Sequence, residues 1–119
     1  MHYTSRMTSG VATELALLPA HRIAERLLRG LSARAVWLFG SRARGDAEND
    51  SDFDFLVVVP ASSQSRYARA VSARQLVSDI RVPKDIVVLT EREWERELRV
   101  PASLSSTVKR EGIVLEGSG

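Results

Sequence analysis

The sequence predicts a single α+β (mixed α/β) domain, and three observations lead to that class. The chain has 119 residues, a length that suits one domain with one core. Short apolar segments typical of buried strands alternate with segments whose apolar residues recur at helical spacing. No repeat or linker divides the chain, so we assign residues 11–119 to one domain and the polar residues 1–10 to a flexible arm.

Composition excludes several classes of protein. The chain has no cysteine, which excludes disulfides and thiolate metal sites. No apolar segment approaches the ~20 residues of a membrane-spanning helix, and the apolar patch at 15–18 is too short for a signal peptide. The net charge of +2 permits nucleic-acid binding but does not indicate it. We therefore expect a cytoplasmic protein without a membrane or nucleic-acid partner.

The first elements are a helix, a buried strand and a tight turn. Over residues 20–31 the apolar side chains fall on one helical face. Residues 35–39 are nearly all apolar, which predicts a short strand buried on both faces. Gly40 ends that strand, and Ser41 can cap a brief helical turn that continues through Arg44.

The middle of the chain predicts two further strands with a helix between them. After the polar, turn-rich loop 46–51, residues 53–59 form the second strand. Apolar residues then recur near helical spacing from about 65 to 80, which predicts a longer helix. Pro83 breaks the chain, and residues 85–89 form the third strand.

The last part of the chain predicts two short helices and an edge strand. Thr90 with Glu93 three residues later is a capping box, which opens a helix that runs to about Leu98. Residues 103–111 are assigned to another short helix. The apolar residues 113–115 then form an edge strand.

Two carboxylates mark the start of the second strand. Asp52 and Asp54 are two residues apart, so their side chains point to the same face, while Phe53 and Phe55 point to the other face and can pack there. At a separation of about 6 Å the two charges repel by roughly 3 kcal/mol at an effective dielectric of about 20. A positive group is therefore expected between them, either an arginine or a divalent cation.

Asp85 begins the third strand just as Asp52 and Asp54 begin the second. If these strands are neighbours, three carboxylates converge at one edge of the sheet. A set of oxygen ligands without histidine or cysteine favours magnesium or manganese over zinc. Three carboxylates suffice to hold two such ions about 4 Å apart, an arrangement suited to in-line displacement at phosphorus. Taken alone, an aspartate after a proline is also compatible with a turn.

The glycine end of the same segment has the features of a phosphate site. A strand, a Gly-Ser pair and a helical turn place free backbone amides where an anion can bind. Gly40 allows close approach of the backbone, the Ser41 hydroxyl adds a donor, and Arg44 can bind a phosphate bidentately. Without the carboxylates, this would be a plain capping turn. We interpret Arg42 as a surface or partner contact.

The pattern as a whole resembles a known family. A Gly-Ser pair, ten residues and then Asp-x-Asp is the signature of the polymerase-beta-like nucleotidyltransferase superfamily. The string GSRARGDAENDSDFDFLV resembles its small stand-alone members, the minimal nucleotidyltransferases, and the later DIVV resembles their third carboxylate strand. The resemblance covers residues 20 to about 116. It implies a nucleotidyltransferase fold with a small mixed sheet of about three to four strands flanked by helices.

The resemblance also implies roles for the site residues. Asp52 and Asp54 would bind both magnesium (or manganese) ions, and Asp85 would bind the catalytic ion and help to deprotonate the acceptor hydroxyl. The Gly40-Ser41 pair and Arg44 would hold the triphosphate of ATP. The hydroxyl would attack the α-phosphate, and pyrophosphate would leave.

A partner follows from the same resemblance. Small stand-alone members resemble antitoxins paired with HEPN-type toxins, in which the transferase adds AMP to a tyrosine of the toxin. The chain would then be a protein adenylyltransferase and the antitoxin of a type VII-like toxin–antitoxin pair. Two alternatives stay open. One is a non-catalytic antitoxin that neutralises a partner by complex formation, and the other is transfer to a small molecule such as an aminoglycoside, which the short chain disfavours.

Overall fold

The structure, a computed structural model, describes residues 15–118. The arm assigned to residues 1–10 lies outside that range. None of the helices within it is long and apolar enough to cross a membrane. In chain order the elements are α1 (Leu18–Gly30), β1 (Ala35–Phe39), α2 (Ser41–Arg44), β2 (Phe53–Val59), α3 (Arg66–Leu76), β3 (Lys84–Thr90), α4 (Glu91–Glu97), α5 (Leu104–Glu111) and β4 (Ile113–Gly117).

The four strands form one mixed sheet in the order β3-β2-β1-β4. β1 is antiparallel to both β2 and β4, whereas β2 and β3 are parallel. A parallel pair needs a crossover connection, and α3 supplies it. The mixed sheet flanked by helices is confirmed, and β4 lies at an edge as expected.

Helices cover both faces of the sheet. On one face, α1 and α3 pack against a cluster centred on Leu38, Phe55 and Val57. On the other face, α4 and α5 pack against a second cluster in which the rings of Trp37 and Trp94 lie 5.6 Å apart. Because apolar side chains are needed on both faces, β1 and β2 are apolar along nearly their whole length, which is what the sequence showed.

Helix α3 is shorter than the sequence predicts. It begins after Ser65, whose side chain caps it, but it ends at Leu76 instead of continuing to residue 80. The amides of Val77 and Ile80 form turn hydrogen bonds, yet both side chains remain buried in the core. The apolar periodicity therefore continues through a turn, and spacing alone could not mark where the helix ends.

A buried ion pair attaches α3 to the strand–helix junction after β3. Arg69 is 7% exposed, and its guanidinium donates to both Glu93 carboxylate oxygens at 2.7 and 3.2 Å and to the Val88 carbonyl at 2.8 Å. Glu93 also accepts from the Thr90 amide, which completes the predicted capping box. The hydrogen bond from Arg69 holds the pKa of Glu93 at about 2, against an ordinary value of 4.5.

This pair predicts a specific dependence of stability on pH. A carboxylate whose pKa is lowered by folding contributes stability that is complete above pH 4.5 and is lost as the pH falls toward 2, here about 3 kcal/mol. We expect Glu93→Gln to lower the free energy of unfolding at pH 7 by at least about that amount, since it leaves Arg69 buried without its partner. Glu95→Gln, on the exposed side of the same helix, is the matched control.

Urea unfolding between pH 7 and pH 2.5 measures both effects. The Glu93→Gln protein should lose less stability on acidification than the wild type, whereas Glu95→Gln should follow the wild type. Parallel curves for the wild type and Glu93→Gln would contradict the assignment of this carboxylate.

Candidate active site

The starts of β2 and β3 bring two carboxylates together. The strands are parallel, and their register pairs Asp54 with Asp85. Asp52 lies one residue before β2, whose first amide, from Phe53, donates to the Pro83 carbonyl at 2.9 Å. The expectation that the second and third strands are neighbours is therefore confirmed. The opposite face of β2 carries Phe53 and Phe55, both buried, as the alternation predicted.

The three carboxylates act on one another electrostatically. The pKa of Asp54 is raised, first because the carboxyl is partly buried and then because the charges of Asp85 and Asp52 lie nearby. The positive charge of Arg44 acts in the opposite direction, but it does not reverse the shift. The site is thus a region of excess negative charge.

No arginine or lysine side chain in residues 15–118 forms an ion pair or hydrogen bond with any of the three carboxylates, Asp52, Asp54 or Asp85. Within this range, the charge of Arg44 acts on Asp54 only from a distance, without an ion pair between them. The carboxylates also do not form a closed cluster, since no three acidic or histidine side chains in the same range are placed to enclose a cation.

Gly40 lies directly against Asp54. Its backbone has φ 74° and ψ −158°, a conformation that is essentially restricted to glycine. A Cβ atom added at this position would overlap the Oδ2 atom of Asp54. Two independent constraints therefore require glycine, and they place the Gly40 backbone beside the carboxylate.

Helix α2 begins immediately after this turn. Gly40, and not Ser41, occupies the N-cap position, and no side chain caps the helix, so the prediction that Ser41 is the cap is wrong. Because Gly40 is the N-cap, the helix begins at Ser41, one residue earlier than it would if Ser41 were the N-cap. The helix ends at Gly45, which has the left-handed conformation. The amides of Ala43 and Arg44 both donate to the Gly40 carbonyl at 3.1 Å, which closes the first turn of the helix.

Arg44 is near the carboxylates but bound elsewhere. Its guanidinium is 3.4 Å from Asp46 and 4.0 Å from Glu111, in two half-exposed ion pairs. Exposed pairs of this kind contribute between 0 and about 1 kcal/mol. If Arg44 bound an anionic ligand at the Gly40 turn instead, the loss of these two ion pairs would therefore cost little free energy.

Arg42, which the sequence interpretation assigned to a surface or partner contact, is partly buried and has contacts with the chain itself. Its guanidinium lies 4.3 Å from the centre of the Phe53 ring and donates to the carbonyls of Ser51 and Asn49. These contacts depend on the path of the loop between α2 and β2. No spacing rule in the sequence could have shown them.

A glycine turn beside coupled carboxylates at one sheet edge is an arrangement suited to an enzyme that acts on a nucleoside triphosphate. The chain belongs to the nucleotidyltransferase domain family, whose sequence model matches residues 21–115. No curated protein matches the chain significantly.

Solved structures support the fold. A candidate nucleotidyltransferase from Sulfolobus solfataricus is 27% identical, with a TM-score of 0.58 over 86% of this chain and 80% of that one. A toxin–antitoxin with AMP-PNP is 23% identical, and a mutant of the toxin–antitoxin MntA-HpeT is 17% identical. Each of the latter two has a TM-score of 0.51 over 82% of this chain and 73% of the other. At these identities the last two show a shared fold.

Two glycines that both have positive φ make a sharp test of the Gly40 turn. Gly45 has φ +84° and nothing within 4 Å of an added Cβ, so Gly45→Ala should cost only the about 1–2 kcal/mol of a left-handed alanine. Gly40→Ala should cost more, because it adds the overlap with Asp54. We expect Gly40→Ala alone to displace that carboxylate and to weaken Mn²⁺ binding, measured by calorimetry beside thermal unfolding. Equal effects of the two substitutions would show that Gly40 does not pack on Asp54.

Proposed function

We propose that the chain is a magnesium-dependent nucleotidyltransferase that transfers AMP from ATP to a hydroxyl of a partner protein. The acceptor is a tyrosine of a HEPN-type toxin, and the chain acts as its antitoxin. The observation that carries this proposal is the set of coupled carboxylates, Asp52, Asp54 and Asp85, which forms no ion pair with an arginine or lysine in residues 15–118 and lies beside the Gly40 turn.

The donor set fits a hard divalent cation. Asp52, Asp54 and Asp85 offer only oxygen ligands, the chemistry that magnesium and manganese prefer. Burial raises the pKa of Asp54 first, and the charges of Asp85 and Asp52 raise it further; a bound cation would oppose this second contribution. When bound, the cation would supply neutralisation of the charge on the phosphate oxygens.

Residues of the chain would bind the phosphates and accept the proton of the acceptor. The Gly40 turn, the Ser41 hydroxyl and the Arg44 guanidinium would hold the β- and γ-phosphates. The acceptor hydroxyl would lose its proton to the Asp85 carboxylate as its oxygen bonds to the α-phosphorus. The bond from that phosphorus to the bridging oxygen would break, and pyrophosphate would leave on the side of the turn.

The exposure of the site suits an acceptor carried by another protein. Asp52 and Asp85 are both exposed, and β3 is an edge strand of the sheet. A large molecule can therefore reach Asp85 from the side without entering a closed pocket. The two toxin–antitoxin neighbours, one of them with AMP-PNP, support both the nucleotide and the kind of partner.

A paired-variant transfer assay tests the activity. The product of the neighbouring reading frame is incubated with the chain, magnesium and ATP labelled at either the α- or the γ-phosphate. We expect the α label to appear on the partner and the γ label to be released. The double variant Asp52→Asn with Asp54→Asn should reduce labelling at least about a thousandfold, because both carboxylates of the strand start are lost. Asp50→Asn, an exposed aspartate of the same loop, should leave it unchanged.

Two outcomes would overturn parts of the proposal. Labelling that survives in the double variant would show that the carboxylates of β2 are not the catalytic site. A double variant that does not label the partner but still protects cells from it, and still co-elutes with it, would show that binding and not transfer neutralises the partner.

A further inference from the structure

We propose that Arg42 is a positioning residue that fixes the 46–52 loop to α2 and so keeps Asp52 beside Asp54. The consequence for catalysis rests on the function proposed above, whereas the structural role of Arg42 does not. The inference begins from a half-buried side chain whose hydrogen bonds join α2 to the loop before Asp52.

The contacts of Arg42 converge on the residues directly before Asp52. Its Nε and Nη2 atoms donate to the Ser51 carbonyl at 3.2 and 2.9 Å, and Nη2 also donates to the Asn49 carbonyl at 3.3 Å. The guanidinium plane lies 4.3 Å from the centre of the Phe53 ring, on the residue directly after Asp52. Arg42 therefore holds the chain on both sides of this carboxylate.

The hydrogen bonds within the loop do not join its C-terminal end to α2. The Glu48 amide donates to the Ser51 hydroxyl at 2.8 Å, and the Ser51 amide donates to the Glu48 carbonyl at 3.0 Å. These two bonds close a turn within the loop, but neither joins it to another element. In the described range, the side-chain hydrogen bonds from α2 to residues 49–51 come from Arg42.

The contact set requires the shape of arginine. Two N–H groups of one planar group bind the same carbonyl while the Cζ atom lies over an aromatic ring, which the single ammonium of lysine cannot reproduce. The bonds end on carbonyl oxygens and not on carboxylates, so Arg42 acts on position and does not neutralise the site. The same helix that carries the Gly40 turn thus sets the position of Asp52.

The path continues to the third carboxylate. Directly after Asp52, the Phe53 amide donates to the Pro83 carbonyl, two residues before Asp85. A series of contacts therefore runs from α2 through Arg42 and the start of β2 to the start of β3. Substitution of Arg42 would remove the contacts in the middle of this series.

The test compares Arg42→Met, which keeps the length of the side chain, with Arg42→Lys and with Arg34→Met. Arg34 pairs with Glu91 at the other end of β1 and serves as the control for loss of an arginine. The first measurement is amide hydrogen exchange of residues 46–52 without nucleotide or metal. The second is Mn²⁺ affinity by calorimetry, with Mn²⁺ as the only ligand.

We expect Arg42→Met to speed exchange in residues 46–52 by about tenfold or more and to weaken Mn²⁺ binding by a similar factor. Arg42→Lys should fall between it and the wild type, and Arg34→Met should change neither quantity. Unchanged exchange in Arg42→Met, or the same changes in Arg34→Met, would overturn the proposal.

The two measurements also separate this inference from the proposed function. If the wild type does not bind Mn²⁺, the metal site fails while the exchange result still decides the role of Arg42. If exchange rises in Arg42→Met but Mn²⁺ affinity is unchanged, Arg42 does not position Asp52 for a cation, and the inference is overturned.

Discussion

The parallel pairing of β2 with β3 is the constraint on which this site depends. Parallel strands begin at the same edge of a sheet, so the register that pairs Asp54 with Asp85 places both carboxylates there. Because β1 is antiparallel to β2, β1 ends where β2 begins, and the turn at Gly40 has to pass beside Asp54. Three segments that are far apart in the sequence thus meet at one place.

Two basic side chains near this edge form hydrogen bonds with the backbone and no ion pair with the carboxylates. Arg42 donates to carbonyls of the loop before Asp52, and Lys84 donates to the carbonyls of Ile80 and Val82 at 2.6 and 3.2 Å. Both cations therefore brace the segments that lead into β2 and β3. Neither cation forms an ion pair with the aspartates, which agrees with the proposal that these carboxylates bind a ligand.

The sequence predicted the strands and the paired aspartates well, because both depend on local patterns. Runs of apolar residues marked β1 and β2 to the residue, and alternation placed Asp54 on the face opposite Phe55. The register that brings Asp85 beside Asp54 depends on the crossover through α3. From the sequence, the meeting of the carboxylates could therefore be predicted only on the condition that β2 and β3 are neighbours. The role of Arg42 depends on the path of a loop, which has no periodicity from which to infer it.

The most direct test of the account is a carboxyl NMR titration of Asp54 in the presence of a chelator. The account predicts that the pKa of Asp54 lies above its ordinary value and falls in Asp85→Asn, because a neighbouring negative charge favours the protonated form. The exposed substitution Asp50→Asn should leave it where it is. An Asp54 pKa that does not respond to Asp85→Asn would contradict the claim that these strands bring their carboxylates into one field.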